Sequence, residues 1–174
     1  MIQAVTTTTQ IEDVWALLEQ LTDPEIPVIS LRELGILREV RESAGGLEVV
    51  ITPTYSGCPA MEQIEADVRD LLAGQGITAK VITRLSPAWT TDWMTDEGKE
   101  KLRQYGIAPP VHKVSDVAAM KFMPRITERE AEVVPCPQCG SQQTVESAHF
   151  GSTACKALYR CLDCRETFDY FKPY

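Results

Sequence analysis

The segment CPQCGSQQTVESAHFGSTACKALYRCLDC, residues 136–164, carries five of the six cysteines in the chain. Four of them form two Cys-x-x-Cys pairs, Cys136 with Cys139 and Cys161 with Cys164. A gap of two residues lets both thiolates of a pair approach one ion from a tight turn, and two pairs complete a tetrahedral set of four sulfur ligands. The segment therefore predicts a metal-stapled unit over residues 133–174.

The residues around the two pairs predict three strands, QTVESA, KALYR and TFDYF, which make this unit a zinc ribbon. A unit this short hardly builds a sufficient core without a staple, which argues against four merely buried thiols. Closed four-cysteine sites are typical of structural zinc, although the spacing alone does not exclude iron. Gly140 suits a left-handed turn after the first pair, whereas Arg165 fits that place less well.

Cys155 and His149 lie between the two pairs but outside the set of four. Because four cysteines already fill a tetrahedron, we expect Cys155 to be a buried thiol, with a metal ligand or a redox partner as alternatives. His149 is a weaker candidate ligand for the same reason. His112 follows two prolines and is expected in a linker or on the surface.

Upstream of the ribbon, the sequence predicts a small α+β domain over residues 1–107 and a linker over 108–132. Residues 1–9 are expected to be a loose end, and residues 11–21 place apolar side chains at helical spacing. Two β-branched runs around an Ala-Gly-Gly turn predict a hairpin, and a helix from Pro59 and a strand over ITAKVITRL follow. The order α-β-β-α-β predicts a two-layer domain with its helices on one face of a short sheet. A further short helix is predicted over residues 95–105.

Cys58 stands alone in the stretch PTYSGCPA, between the second predicted strand and the second predicted helix. The dipole and free N–H groups at a helix N-terminus lower the pKa of a nearby thiol. Thr54 lies on the strand leading in, and it could reach the sulfur or a bound anion. Such a thiolate could be a nucleophile or a ligand for iron or a cluster, and a small buried residue at the helix start is an equally supported alternative.

Other residues near Cys58 narrow its chemistry only partly. The chain has two histidines and neither is close to Cys58 in sequence, so a Cys-His hydrolase is not expected. Asp23 and Glu25, in the stretch DPEIP, either cap a loop or belong to the same site as Cys58. Their spacing leaves both interpretations open.

Composition and charge exclude several classes of protein. Hydrophobic residues make up 44% and charged residues 24%, which is a globular composition. The net charge of −8 argues against general nucleic-acid binding, although a local basic patch remains compatible with it. No signal peptide and no membrane span is predicted, so we expect a cytoplasmic protein, where paired cysteines favour metal binding or catalysis over disulfides.

Three stretches, DPEIPVISLRELGIL, VVITPTYSGCPAM and LSPAWTTDWM, resemble the small domain of the SufT-type iron–sulfur assembly family. Together with YGIAPP and the four-cysteine tail, they resemble the PaaD (PaaJ) family of the phenylacetate degradation pathway, over residues 14–172. This resemblance implies an accessory protein of the multicomponent phenylacetyl-CoA epoxidase. The expected partner is its iron–sulfur flavin reductase, with no nucleic acid and no membrane.

The resemblance also implies residue roles. Cys58 becomes the reactive thiol or transient cluster ligand, accompanied by Asp23 and Thr54. The cysteines of the ribbon become ligands of one structural Zn²⁺ per chain, namely Cys136, Cys139, Cys161 and Cys164. Iron–sulfur clusters take about four sulfur ligands, so a transient iron or cluster at Cys58 would need a homodimer or a client protein to complete it.

Three functions are compatible with these features. The first is a maturation factor that helps to install the iron–sulfur cluster of the reductase without itself being catalytic. The second is an integral structural subunit of the oxygenase complex, which would tolerate Cys58→Ser. The third is a rubredoxin-like electron carrier with iron in the ribbon. A Gly-rich dinucleotide fingerprint and a Glu-x-x-His pair are both missing from the sequence, so the chain is not expected to be the reductase or the oxygenase itself.

Overall fold

The computed structural model describes residues 4–111 and 133–174, with side chains described from residue 11 onward. The chain forms two compact units, Met1–Trp89 and Thr90–Tyr174. This division lies earlier than the predicted boundary at residue 107, because residues 90–108 join the ribbon. The N–H of Thr91 donates to the carbonyl oxygen of Tyr174 at 3.1 Å, and Ala108 pairs with the last ribbon strand. Most of the predicted linker, with His112, lies outside the described residues.

The first unit has the predicted order α-β-β-α-β. Its elements are α1 (Ala4–Leu18), β1 (Leu37–Ser43), β2 (Gly46–Ile51), α2 (Met61–Gly74) and β3 (Ala79–Thr83). Helix α1 begins inside the stretch expected to be a loose end, and it includes the four threonines at 6–9. Threonine has a low helix propensity, but extending an existing helix costs far less than starting one.

The sheet of the first unit has the strand order β1-β2-β3, with β1 antiparallel and β3 parallel to β2. Leu37, Ile51 and Thr83 are in register, so the start of β1 and the ends of β2 and β3 meet at one edge. Three connecting segments therefore converge there, residues 19–36, 52–60 and 84–89. We call this region the loop end.

Hydrogen bonds tie the three segments of the loop end together. The N–H of Thr52 donates to the carbonyl oxygen of Ile36 at 2.9 Å. The N–H of Arg84 donates to the carbonyl oxygen of Ile51 at 2.8 Å. The indole of the buried Trp89 donates from Nε1 to the carbonyl oxygen of Leu34 at 3.1 Å. The loop end is thus a connected structure and not three independent loops.

The two faces of this sheet differ sharply in polarity. Successive side chains of a strand point to opposite faces, so Leu47, Val49 and Ile51 share one face and are all buried. Helices α1 and α2 contact this sheet, and Thr83 of the same face donates from its hydroxyl to Glu65 of α2 at 2.6 Å. The opposite face carries the charged side chains of the strands, and we call it the charged face.

The second unit joins a helical segment to the ribbon. Its elements are a short 3-10 helix (Thr91–Trp93), α3 (Asp96–Tyr105), β4 (Ile107–Ala108), β5 (Thr144–Ala148), β6 (Lys156–Cys161) and β7 (Thr167–Phe171). The sheet order is β4-β7-β6-β5, and the three predicted ribbon strands are present. Helix α3 begins where the Thr95 hydroxyl accepts from the N–H of Gly98 at 3.0 Å, and it ends at Gly106 in the left-handed conformation.

One apolar cluster runs through the second unit and includes two of the paired cysteines. Its buried members are Ala108, Val134, Cys136, Ala157, Tyr159, Cys161, Phe168 and Tyr170. The metal-binding knuckles therefore continue the core of this unit. Among the helices that the structure describes, none combines the length and the apolarity that crossing a bilayer requires.

Candidate functional site

The four paired cysteines converge at one end of the ribbon. Their Sγ atoms all lie within 4.8 Å of one another, with 3.7 Å between Cys136 and Cys164 and 3.6 Å between Cys139 and Cys161. A tetrahedral zinc ion with Zn–S bonds of about 2.3 Å places its sulfur ligands about 3.8 Å apart. The observed separations fit that geometry, so the four predicted ligands form a metal site.

The two knuckles have the same backbone turn despite different sequences. The N–H of Cys136 donates to the carbonyl oxygen of Ser141, and the N–H of Cys161 donates to that of Glu166, both at 2.9 Å. Gly140 has φ of 74° and Arg165 has φ of 67°. Arg165 therefore adopts the left-handed conformation that the sequence made less expected there. A non-glycine residue pays about 1–2 kcal/mol for this conformation, which the rest of the site must offset.

The thiols differ in their affinity for protons. A hydrogen bond with the backbone of Cys164 lowers the pKa of Cys161 to about 6. At Cys164, the hydrogen bond from the backbone of Glu166 is outweighed by burial and by the sulfurs of the other cysteines, so its pKa rises to about 12. Sulfurs so close together oppose each other's ionisation, and a bound divalent cation supplies the charge that lets all four become thiolates.

Contacts between the knuckles were not predicted from the sequence. The hydroxyl of Ser141, after the first pair, donates to Asp163, inside the second pair. The same Ser141 oxygen accepts from the N–H of Gln143 at 3.0 Å. On the other side, the amide of Gln138 lies so close to Gly106 that an added Cβ would be only 2.9 Å from its Nε2. Helix α3 thus ends against the first knuckle, which explains why it belongs to this unit.

Cys155 and His149 lie at the far end of the ribbon. Cys155 directly precedes β6, whose last residue is Cys161, so about six residues of strand, or about 20 Å, separate them. Cys155 is buried, and its sulfur is 3.1 Å from the hydroxyl of Thr153. His149 is exposed and contacts Glu146 through Nδ1 at 3.1 Å. The structure therefore does not bring either residue to the metal site.

Cys58 lies in a turn just before α2, within the loop end. Its N–H donates to the carbonyl oxygen of Tyr55 at 3.1 Å, and its own carbonyl accepts from the N–H of Met61 at 3.4 Å. The helix begins at Met61 rather than at Pro59, and Ala60 is its N-cap without a side-chain hydrogen bond. The Cys58 side chain is partly exposed. The thiol therefore lies beside the start of the helix, as expected, in a backbone held from both sides.

Asp23 and Thr54 are both buried, each with 7% of its surface exposed. One carboxylate oxygen of Asp23 accepts from the N–H groups of Glu25 and Ile26, both at 2.9 Å. Asp23 therefore caps its loop, which is one of the two roles that its sequence context left open. The register of the sheet brings the segments that carry Asp23, Thr54 and Cys58 to the same loop end.

Comparisons with known proteins match both units of the chain. The family model of the iron–sulfur cluster assembly protein matches residues 11–81, and that of the PaaD zinc beta ribbon domain matches residues 123–172. A DUF59 domain from Bacillus anthracis has a similar structure, with a TM-score of 0.52, 25% identity, and coverage of 57% of this chain and 97% of that one. The class is thus an iron–sulfur assembly domain joined to a zinc ribbon.

Two relatives narrow this class. The chain is 46% identical to a 1,2-phenylacetyl-CoA epoxidase subunit of Escherichia coli K12, over 94% of its own length and 93% of the relative. It is 34% identical to an Fe-S protein maturation auxiliary factor of Porphyromonas gingivalis, over 52% of its own length and 89% of the relative. The chain belongs to the family of PaaD-type phenylacetyl-CoA epoxidase subunits, which confirms the resemblance seen in the sequence.

Proposed function

We propose that this chain assists the maturation of the iron–sulfur cluster in the reductase component of phenylacetyl-CoA epoxidase, with Cys58 as the reactive thiol. The observation that carries the proposal is the position of Cys58. It is a partly exposed thiol in the unit that resembles a maturation factor, and it does not belong to the four-cysteine site. The chain therefore has one sulfur available for exchange and four committed to structure.

The geometry around Cys58 suits a transient ligand. The hydrogen bonds of Tyr55 and Met61 with its backbone hold the turn in place, so the sulfur has a defined position without being enclosed. A single thiolate per chain supplies one of the about four sulfur ligands that a cluster takes, so the remaining ligands come from the client. Exchange of the Cys58 thiolate for a client thiolate then completes the transfer, with the client thiol giving up its proton and the Cys58 sulfur accepting one.

Thr54 and Asp23 would act on Cys58 from the loop end. Thr54 lies in the segment that connects β2 to Cys58, where its hydroxyl could donate to the sulfur or to an anionic cluster. Asp23 would act indirectly, because its oxygen holds the backbone of residues 25 and 26. In this proposal Thr54 contacts the cargo, and Asp23 is a positioning residue.

The ribbon would hold a Zn²⁺ ion through its four cysteines. Four protein ligands leave no open coordination position, so the ion would stabilise the fold and not act on a substrate. The rigid knuckles would then be suited to recognising the client. This assignment rests on the fit of the sulfur separations to zinc and on the match of this segment to a zinc ribbon family.

A structural subunit of the epoxidase is the second candidate. The name of the Escherichia coli relative, a subunit of the epoxidase, favours it. In that case the chain would remain in the complex in fixed stoichiometry, and its lone thiols would be packing residues.

Co-expression of the epoxidase components separates the two candidates. The components are produced with the wild-type chain, with Cys58→Ser, with Cys155→Ser as a matched lone-cysteine control, or without the chain. Iron and acid-labile sulfide are then measured in the purified reductase. Maturation predicts that Cys58→Ser lowers cluster content as far as omission of the chain does, while Cys155→Ser leaves it unchanged. Full cluster content with Cys58→Ser would favour the structural subunit.

A further inference from the structure

The first unit separates its charges in an unusual way. Residues 1–89 contain thirteen acidic and six basic residues, so this unit has a net charge of −7. Four of the six basic residues nevertheless belong to the charged face of the sheet, which is the face opposite the helices: Arg38, Arg41, Lys80 and Arg84. The strands place only two carboxylates there, Glu39 and Glu48. The charged face is therefore positive within an acidic unit.

The register of the strands determines this grouping. Arg41 pairs with Glu48 across β1 and β2, and Glu48 pairs with Lys80 across β2 and β3. Paired residues point to the same face, and the neighbours Val40 and Val49 are paired on the buried side. The row Arg41, Glu48 and Lys80 therefore crosses all three strands on the charged face.

A bulge in β1 adds a further cation to this face. The register shifts between Leu37 and Glu39, which leaves Arg38 as the extra residue. In a bulge two residues face one partner, and both of their side chains can point to the same side of the sheet. Arg38 accordingly lies near Arg84, because its pKa is lowered first by burial and then by the charge of Arg84. Bringing two guanidinium groups together creates a strongly positive point at the loop end.

Ion pairs hold the cations of the charged face in place while leaving them accessible. Arg84 follows β3 but reaches Glu39 of β1 at 2.9 Å, so this pair bridges β2. Arg41 contacts Glu48 at 2.9 Å and Glu39 at 3.4 Å. The side chains of Arg41 and Arg84 remain 42% and 35% exposed. Exposed pairs of this kind contribute little to folding stability, so stability does not account for the grouping.

We propose that the charged face is a docking surface for an acidic protein surface, contributed by another component of the epoxidase system. Three observations favour a protein over a compact anion. The cations are spread over three strands, guanidinium groups present planar pairs of donors that match carboxylates, and Glu39 and Glu48 would repel a phosphate placed between them. A protein surface can set carboxylates against the arginines and donors against the glutamates.

This docking surface goes beyond the proposed role of Cys58 and depends only on membership of the epoxidase family. The charged face includes Arg84 and the bulge at Arg38, both of which lie at the loop end. A partner that docks there would be brought next to the segment that carries Cys58. Because the unit as a whole is acidic, the patch would also select the orientation in which an acidic partner approaches.

The test measures binding of the full-length chain to the purified remaining epoxidase components over a range of salt concentrations. The variants are Arg38→Gln with Arg84→Gln, and Lys80→Gln as an exposed single change. Arg69→Gln is the matched control, since Arg69 is a basic residue of the same unit that pairs with Glu65 on α2. We expect the double variant to weaken binding by about tenfold and to reduce its salt dependence, and Lys80→Gln to do so by about threefold. Arg69→Gln should bind as the wild type does.

Two outcomes would overturn the proposal. One is unchanged binding by the double variant and by Lys80→Gln. The other is tight binding of pyrophosphate to the wild-type chain alone that the double variant loses, which would identify a small-anion site. Thermal unfolding of each variant shows that it is folded. Cys58→Ser should bind the components normally, so failure of the docking proposal and failure of the maturation proposal can be told apart.

Discussion

The carboxylate of Asp23 and the backbone N–H of Ile26 are joined by a hydrogen bond of 2.9 Å, and both residues are buried. The same oxygen accepts from the N–H of Glu25 at 2.9 Å. A carboxylate that satisfies two backbone donors stabilises a loop whose own prolines cannot donate. The bond connects the candidate site at the loop end to the stability of the first unit.

Asp23→Ala should therefore destabilise the first unit, by about 2–3 kcal/mol, because it leaves the two N–H groups of the loop without their acceptor. Asp23→Asn keeps an oxygen in the same place and should cost less. Urea unfolding followed by circular dichroism measures both variants. Equal stability of Asp23→Ala and the wild type would show that the loop does not depend on this carboxylate.

Metal removal should unfold the second unit but not the first. The purified chain is expected to contain one zinc per four-cysteine site and to be colourless, because zinc has a filled d shell. A strong chelator should release this zinc and disrupt the ribbon, since metal binding and folding are coupled in small metal-stapled units. Elemental analysis and tryptic digestion check the prediction. Visible absorbance with stoichiometric iron would instead support the rubredoxin-like electron carrier.

Arg165→Gly should stabilise the second knuckle. Arg165 has φ of 67°, and a glycine adopts this conformation without the steric cost, so we expect a gain of about 1 kcal/mol. Gly140→Ala is the matched change at the first knuckle, where φ is 74°, and it should lose a similar amount. Thermal unfolding of the zinc-loaded chain measures both. A stabilising Gly140→Ala would contradict the assignment of strain to this turn.

The ion pair between Lys156 and Asp169 should stabilise the end of the ribbon that is far from the metal. Lys156 Nζ lies 3.2 Å from Asp169 Oδ2, and the lysine side chain is only 6% exposed. Asp169→Ala should cost about 3 kcal/mol, because it leaves the charge of a buried lysine uncompensated.

The double variant Lys156→Met with Asp169→Leu tests whether that cost comes from the unpaired charge. It should recover much of the lost stability, since apolar side chains avoid the desolvation of both ions. Chemical unfolding of the zinc-loaded protein provides the comparison. Equal losses for the single and the double variant would show that packing, and not charge, is what matters at this site.

Much of the architecture could be predicted because local patterns specify it. Helical spacing predicted α1 and α2, alternating or β-branched runs predicted the strands of both sheets, and the two Cys-x-x-Cys pairs predicted the metal ligands. The prediction of the unit boundary differed from the structure, because the two-residue strand β4 has no sequence signal of its own. Only its pairing with β7 attaches α3 to the ribbon.

The sequence by itself therefore determined the chemistry of this protein: four sulfur ligands at metal-binding spacing, a lone thiol between a strand and a helix, and an acidic composition. Only the tertiary structure decided how that chemistry is arranged. Strand register brought Cys58 and Asp23 to one loop end and gathered four cations on one face, and strand length kept Cys155 away from the metal site. The physical reason is that residue type and spacing act locally, whereas register and strand pairing join residues that are distant along the chain.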